Sequence, residues 1–170
     1  MKALSVSLPI GMTLSALLLS GGLAYGENSK IRGGTLVCGG NHFSRVNGTE
    51  LHRTSYNLRN FSGNAKVTIE GVKMYDANGN VLFSFPDSYL PDRAKTELGP
   101  HETTQFSTGD VLSFDLDATD RPIQTHIRWS YMRGHRGMAL SGSAVRTVRA
   151  SDGPERSRAS SECMLLDSPR

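Results

Sequence analysis

Residues 123–131 read Ile-Gln-Thr-His-Ile-Arg-Trp-Ser-Tyr and alternate strictly. Ile123, Thr125, Ile127, Trp129 and Tyr131 fall on one side of an extended chain, and Gln124, His126, Arg128 and Ser130 fall on the other. A helix, with 3.6 residues per turn, scatters such a pattern around its whole circumference, whereas a strand sorts it cleanly. The segment therefore forms the wall of a core, with Trp129 facing in and the polar residues facing water, as in an antiparallel sheet.

The same logic recurs along the chain. Thr35–Cys38 is a short strand between the pairs Gly33-Gly34 and Gly39-Gly40, and Leu51–Leu58 is a second. Within 65–75, Val67 and Ile69 hold one phase and Val72 and Met74 the other, with Gly71 between them. A phase slip at a glycine predicts a β-bulge. Asp76-Ala77-Asn78-Gly79-Asn80 is a turn, because Asn-Gly adopts positive φ at low cost, and Val81, Phe83 and Phe85 resume the alternation on the return strand. Residues 86–98 read as a polar loop. Further strands are expected at Thr103–Phe106, at Val111–Leu116 with Leu112, Phe114 and Leu116 on one face, and at Met138–Val148 after an Arg133-Gly134-His135-Arg136-Gly137 turn. About seven short strands punctuated by Gly, Pro and Asn make an all-β antiparallel sandwich.

The N-terminus has a different character. Lys2 precedes an apolar run from Ile10 to Leu19, a Gly21-Gly22 break, and small residues at Ala24 and Gly26 spaced as a signal peptidase requires. Residues 1–26 are expected to be a secretory signal peptide. An uncleaved anchor is the weaker alternative, since Thr13 and Ser15 interrupt a run that is short for a membrane span. A lipoprotein fits less well, since Cys38 follows Leu36-Val37 and not a small residue. Residues 27–150 then form the sandwich domain. Residues 151–170, rich in Ser, Arg, Glu and Pro, are expected to be a flexible tail. Formal charge divides unevenly: 27–120 hold nine Lys/Arg against twelve Asp/Glu, or −3, and 121–170 hold nine against four, or +5. Isolated arginines without interleaved aromatics make a poor nucleic-acid footprint, and no second apolar run could span a membrane.

Cys38 and Cys163 are the two cysteines, near opposite ends of the exported chain. In an oxidising compartment two thiols usually pair, so a Cys38–Cys163 disulfide is expected; the alternative is a Cys163 that reaches another chain from a disordered tail. No CxxC motif supports redox catalysis.

Two stretches carry a resemblance. Val67-Thr-Ile-Glu-Gly-Val-Lys-Met-Tyr75-Asp76-Ala-Asn-Gly79-Asn-Val81, and then Leu98-Gly-Pro100-His-Glu102-Thr-Thr-Gln-Phe106, resemble bacterial exported immunoglobulin- or fibronectin-III-like domains of unknown function. Those domains carry a Y-D-x-x-G hairpin followed by an L-x-P-x-E-x-x-x-F turn and strand, and the Ile127-Arg-Trp129 strand is also similar. The resemblance covers about residues 50–148. It implies an immunoglobulin-like sandwich with a binding or assembly role and brings no catalytic residue. The arginine-rich tail and the cysteine pair depart from it.

Reactive constellations are sparse. His42, His52, His101, His126 and His135, with several methionines, are the right ligand types for copper or zinc, but none is spaced as HxH, HxxxH or HxM. Asp110, Asp115, Asp117 and Asp120 lack the glycine and closing glutamate of a calcium loop. There is no GxSxG elbow and no glycine-rich phosphate loop. Asn47-Gly-Thr49 and Asn60-Phe-Ser62 match the glycosylation pattern by chance composition. Arg128, Arg133, His135, Arg136 and Arg146, with Arg149 nearby, form a candidate anion or partner patch at one end of the sandwich, against the plainer reading of a solvated face. The expectation is a non-catalytic, cofactor-free binding or structural accessory subunit, periplasmic or extracellular, working through protein–protein contacts; the alternative is a periplasmic copper- or zinc-handling protein.

Overall fold

The computed structural model describes residues 32–45, 49–113, 116, 119–131 and 139–167. The expected signal peptide, Asn47, the Arg133–Gly137 turn, Asp115 and Asp117 lie outside the described residues.

The chain forms two antiparallel sheets packed face to face. Its elements are β1 (Arg32–Gly39), β2 (Phe43–Ser44), β3 (Glu50–Asn60), β4 (Val67–Tyr75), β5 (Val81–Phe85), β6 (Glu97–Leu98), β7 (Thr103–Ser107), α1 (Thr108–Val111), β8 (Gln124–Tyr131), β9 (Leu140–Ala150), β10 (Glu155–Glu162) and β11 (Met164–Asp167). One sheet runs β11-β1-β8-β4-β5, with β6 on β4; the other runs β10-β9-β3-β2, with β7 also on β3.

The alternation of β8 is realised as expected: Thr125, Ile127, Trp129 and Tyr131 are buried, and Gln124 and Arg128 are exposed. Ile123 lies just before the strand and is exposed. The bulge in β4 is present, because the register against β8 slips between Ile69 and Gly71. That slip lets Val67, Ile69, Val72 and Met74 all face the core. The following turn has Gly79 at φ 84°. Asp76 closes it by accepting from the amides of Asn78 and Asn80 at 2.8 and 2.7 Å and from the Asn80 side chain at 2.8 Å.

Leu36, Tyr56, Leu58, Val67, Met74, Leu98, Phe106, Ile127 and Leu140 fill the space between the sheets. Burying a side chain of this size stabilises the fold by about 1.5–3 kcal/mol before conformational entropy is counted. One polar link crosses the core: the Tyr56 hydroxyl of β3 lies 2.7 Å from Thr125 Oγ1 of β8, both residues fully buried. Burial pushes the Tyr56 phenol well above its ordinary pKa.

Two expectations are corrected. Residues 151–167 are not a flexible tail: β10 pairs with β9 from Glu155 to Glu162, and β11 pairs with β1. Between them Cys163 bonds to Cys38 of β1, so the chain crosses from one sheet's edge to the other's and is fastened there. The neighbouring ladders supply what the Ser/Arg/Glu composition cannot supply alone. Second, Val111, expected to open a strand, instead ends the single turn α1, and Leu112 and Ser113 after it are not in a strand; at the start of α1 the Asp110 carboxylate accepts from the Ser107 amide at 2.7 Å.

Candidate binding surfaces

A hollow of about 670 Å³ lies on the outer face of the β3–β9 sheet. Its floor follows from register and alternation. Leu58 of β3 points inward, so Asn57 and Arg59 point outward. Asn57 sits opposite Ser143 of β9 and Gln105 of β7, and Ser143 sits opposite Glu162 of β10. Arg59 sits opposite Ser141 and Thr103. Short hydroxyl side chains on β9 keep the floor low. Arg93 and Lys95, from the loop before β6, and Phe61, just after β3, stand at the rim. Arg93 pairs with Asp110, and Lys95 with Glu102 at 3.1 Å. Arg59 pairs with no carboxylate among the described residues; its guanidinium lies 4.8 Å from the centroid of the Phe61 ring.

A second polar region lies at the start of β3. Glu50 accepts from Arg156 at 3.0 Å and Arg45 at 3.4 Å, and His52 Nε2 is 3.6 Å away. Desolvation pushes the Glu50 carboxyl up, but the Arg156 hydrogen bond and the Arg45 and Arg156 charges outweigh it and leave its pKa below the usual range. The His52 ring stacks on Phe43 with centroids 4.1 Å apart. Desolvation lowers its pKa and outweighs the pull of Glu50. Arg146 faces this region beside a cavity of about 200 Å³ shared with Gly40, Thr54 and Ser161.

The third surface is an edge. β11 pairs with β1 on one side only among the described residues. Leu165 packs inward, while Met164 and Leu166 point out at 71% and 56% exposure.

The residues singled out from sequence are dispersed. Arg128 projects from β8 beside Gly71 in one sheet, and Arg146 stands on β9 in the other, so these two do not share a patch. Arg133, His135 and Arg136 lie outside the described residues. His42 is fully buried, its ring nitrogens 3.1 Å from Thr108 Oγ1 and 2.7 Å from the Ser113 carbonyl, and it secures α1. His126 packs edge-on against Tyr75 with centroids 5.0 Å apart. Among the described residues no three of His, Cys, Asp and Glu gather as a metal site. Asn60, in one of the glycosylation-like triplets, is fully buried and inaccessible to a glycan. No helix among the described residues is long and apolar enough to cross a membrane. Sequence reasoning missed the hollow because its residues come from four strands; the signal was the short polar phase of β9, Ser141 and Ser143, opposite a polar phase in β3. Comparison with protein-family models, curated proteins and solved structures finds no match.

Proposed function

We propose that this is an exported, non-catalytic accessory domain that works by contact, adding a protein strand to its β11 edge. The observation that carries the reading is the character of that edge. Soluble proteins guard free strand edges with charges, prolines or bulges, because unpaired N–H and C=O groups recruit other strands. β10 obeys the rule, with Glu155, Arg156, Arg158 and Glu162 among its eight exposed residues. β11 instead presents Met164 and Leu166 outward. A partner strand laid beside it would gain main-chain hydrogen bonds and cover two apolar side chains. The disulfide at Cys163 holds the start of this edge in place and suits an oxidising compartment, as the leader-like residues 1–26 do.

The strand order supports an immunoglobulin-like origin with one rearrangement. β3 with β7, and β4 with β8, correspond to the B–E and C–F pairs of that fold. The outer strands have traded places, β1 joining β8 and β9 joining β3. The test places a photo-crosslinking residue at Leu166, and a control at exposed Tyr89, in the protein made in its own cells. Specific capture at 166, abolished by Met164→Lys, supports the reading. Equal capture at both positions, with a strictly monomeric purified protein, overturns it.

A further inference from the structure

We propose that the hollow on the outer face of the β3–β9 sheet binds an acidic oligosaccharide, a sugar chain bearing carboxylate or sulfate groups. The floor excludes several other classes of ligand. The two central strands beneath it are paired on both sides at this point: Asn57 of β3 lies between Ser143 and Gln105, and Ser143 of β9 lies between Asn57 and Glu162, while β7 and β10 flank them as the outer strands. Over β3 and β9 the main chain is therefore spent, and recognition at the middle of the floor falls to side chains. Those side chains are hydroxyls and amides, groups that both donate and accept, which is what a ligand dense in hydroxyls requires. A peptide or lipid is held chiefly by an apolar anchor pocket, and the one large apolar side chain exposed in this lining is the Phe61 ring at the rim.

The rim selects for negative charge. Of its three cations, Arg93 and Lys95 pair with Asp110 and Glu102, Arg59 pairs with no carboxylate among the described residues, and Glu162 is the carboxylate that lines the hollow itself. Lys95 is held by an exposed ion pair, which is weak enough to exchange for a ligand anion, whereas Arg93 is held by the largely buried carboxylate of Asp110. Arg59 is the anchor: it lacks a carboxylate partner among the described residues, and the Phe61 ring restrains its guanidinium. A restrained fork loses little freedom on taking a carboxylate or sulfate in two-pronged fashion. The volume, about 670 Å³, falls within the usual range for small-molecule sites. None of these residues belongs to β11, so this site and the strand-addition reading can fail separately.

The test uses the disulfide-bonded chain from residue 27, with amide chemical shifts followed while four probes are titrated: an oligogalacturonate hexamer, a heparin hexasaccharide, neutral maltohexaose and a glutamate hexapeptide. Either or both acidic sugars are expected to shift the amides of Asn57, Arg59, Ser141 and Ser143, and which one does so identifies the anion. Arg59→Ala should weaken binding about tenfold, the scale of one lost charge-assisted pair. Ser143→Trp, placed on the outer face where the fold tolerates it, should fill the floor and abolish the shifts. The proposal is overturned if neither acidic sugar moves these amides at millimolar concentration, if the glutamate peptide or maltohexaose binds as tightly, or if Arg59→Ala binds like the unaltered protein.

Discussion

Gly142 and Cys163 are fitted to each other. The Cys163 amide donates to the Gly142 carbonyl at 2.8 Å, and a Cβ on Gly142 would lie 3.3 Å from Cys163 Sγ. The same Cβ would stand 2.8 Å from Leu58 Cδ2 and 3.2 Å from Leu36 Cδ1. Both leucines are fully buried and have little room to retreat. Gly142→Ala is therefore expected to cost about 1–3 kcal/mol through overpacking, despite the intrinsic preference of a strand for alanine over glycine. Urea denaturation should show a lower midpoint with an unchanged slope. A variant as stable as the parent would mean that the leucines and the disulfide do not crowd this position.

The disulfide spans 125 residues of sequence, nearly the whole described chain. Replacing both cysteines with alanine frees a loop whose closure is worth about 4–5 kcal/mol in the chain-entropy model. Loss of protection should not be uniform. β10 is exposed along all eight residues, and β11 holds the other sheet only through β1. Hydrogen exchange of the double alanine variant should show β10 and β11 opening first, with the β3–β9 and β4–β8 ladders protected for longer. Simultaneous loss in all strands would show instead that the crosslink supports the whole core equally.

How much of this was legible in the sequence depended on whether each strand carried its own reason to be a strand. The β4–β5 hairpin did: Asn78-Gly79 demanded a tight turn, and the slip around Gly71 announced the bulge. β8 did as well, through Trp129 and its alternating neighbours. β10 did not. Its order comes from the backbone of β9 and the anchor at Cys163, and neither appears in Glu-Arg-Ser-Arg-Ala-Ser-Ser-Glu. The segment from Val111 was misread because Leu112 and its neighbours alternate, whereas the structure turns on Ser107, Thr108 and Asp110, with buried His42 behind them. The hollow was hidden for another reason: polar alternation says that a face is wet, but only the register says which wet residues meet.

Acid should destabilise the protein in two separate ranges. His42 and His52 both have pKa values lowered from 6.5, in each case chiefly by burial, with Arg53 adding to the effect at His42 and Arg45 and Arg146 at His52. Unfolded, each imidazole takes its proton near pH 6.5; folded, it does so only at lower pH. Between those values the unfolded chain binds more protons, so the stabilisation is complete above 6.5 and is lost as pH falls toward the folded values. The carboxylates of Asp76, Glu102 and Asp110 are also lowered, from 3.8, 4.5 and 3.8, so their contributions fade only in more acidic solution. Denaturation midpoints between pH 7 and pH 5 should fall for the parent and fall less for His42→Gln. The same slope in both proteins would remove His42 from the account.

Asn60 should be the least replaceable polar residue in the sandwich. It ends β3 fully buried, and its Nδ2 lies 2.8, 3.1 and 2.9 Å from the carbonyls of Ala65, Leu98 and Gly99, while its Oδ1 accepts from the Ser62 amide at 2.9 Å. One amide thus holds the entry to β4 and the end of β6 against the last residue of β3. Asn60→Ala leaves several of these groups without partners, at about 1–3 kcal/mol for each one that water cannot reach. Asn60→Asp keeps the shape and the Ser62 bond but turns the donor into a carboxylate facing three carbonyl oxygens. It should therefore be the worse substitution at neutral pH and should recover as the carboxyl is protonated. Thermal unfolding of both variants at pH 7 and pH 4 tests this ordering. If Asn60→Asp proves as stable as the parent at pH 7, the amide donor does not hold these loops together.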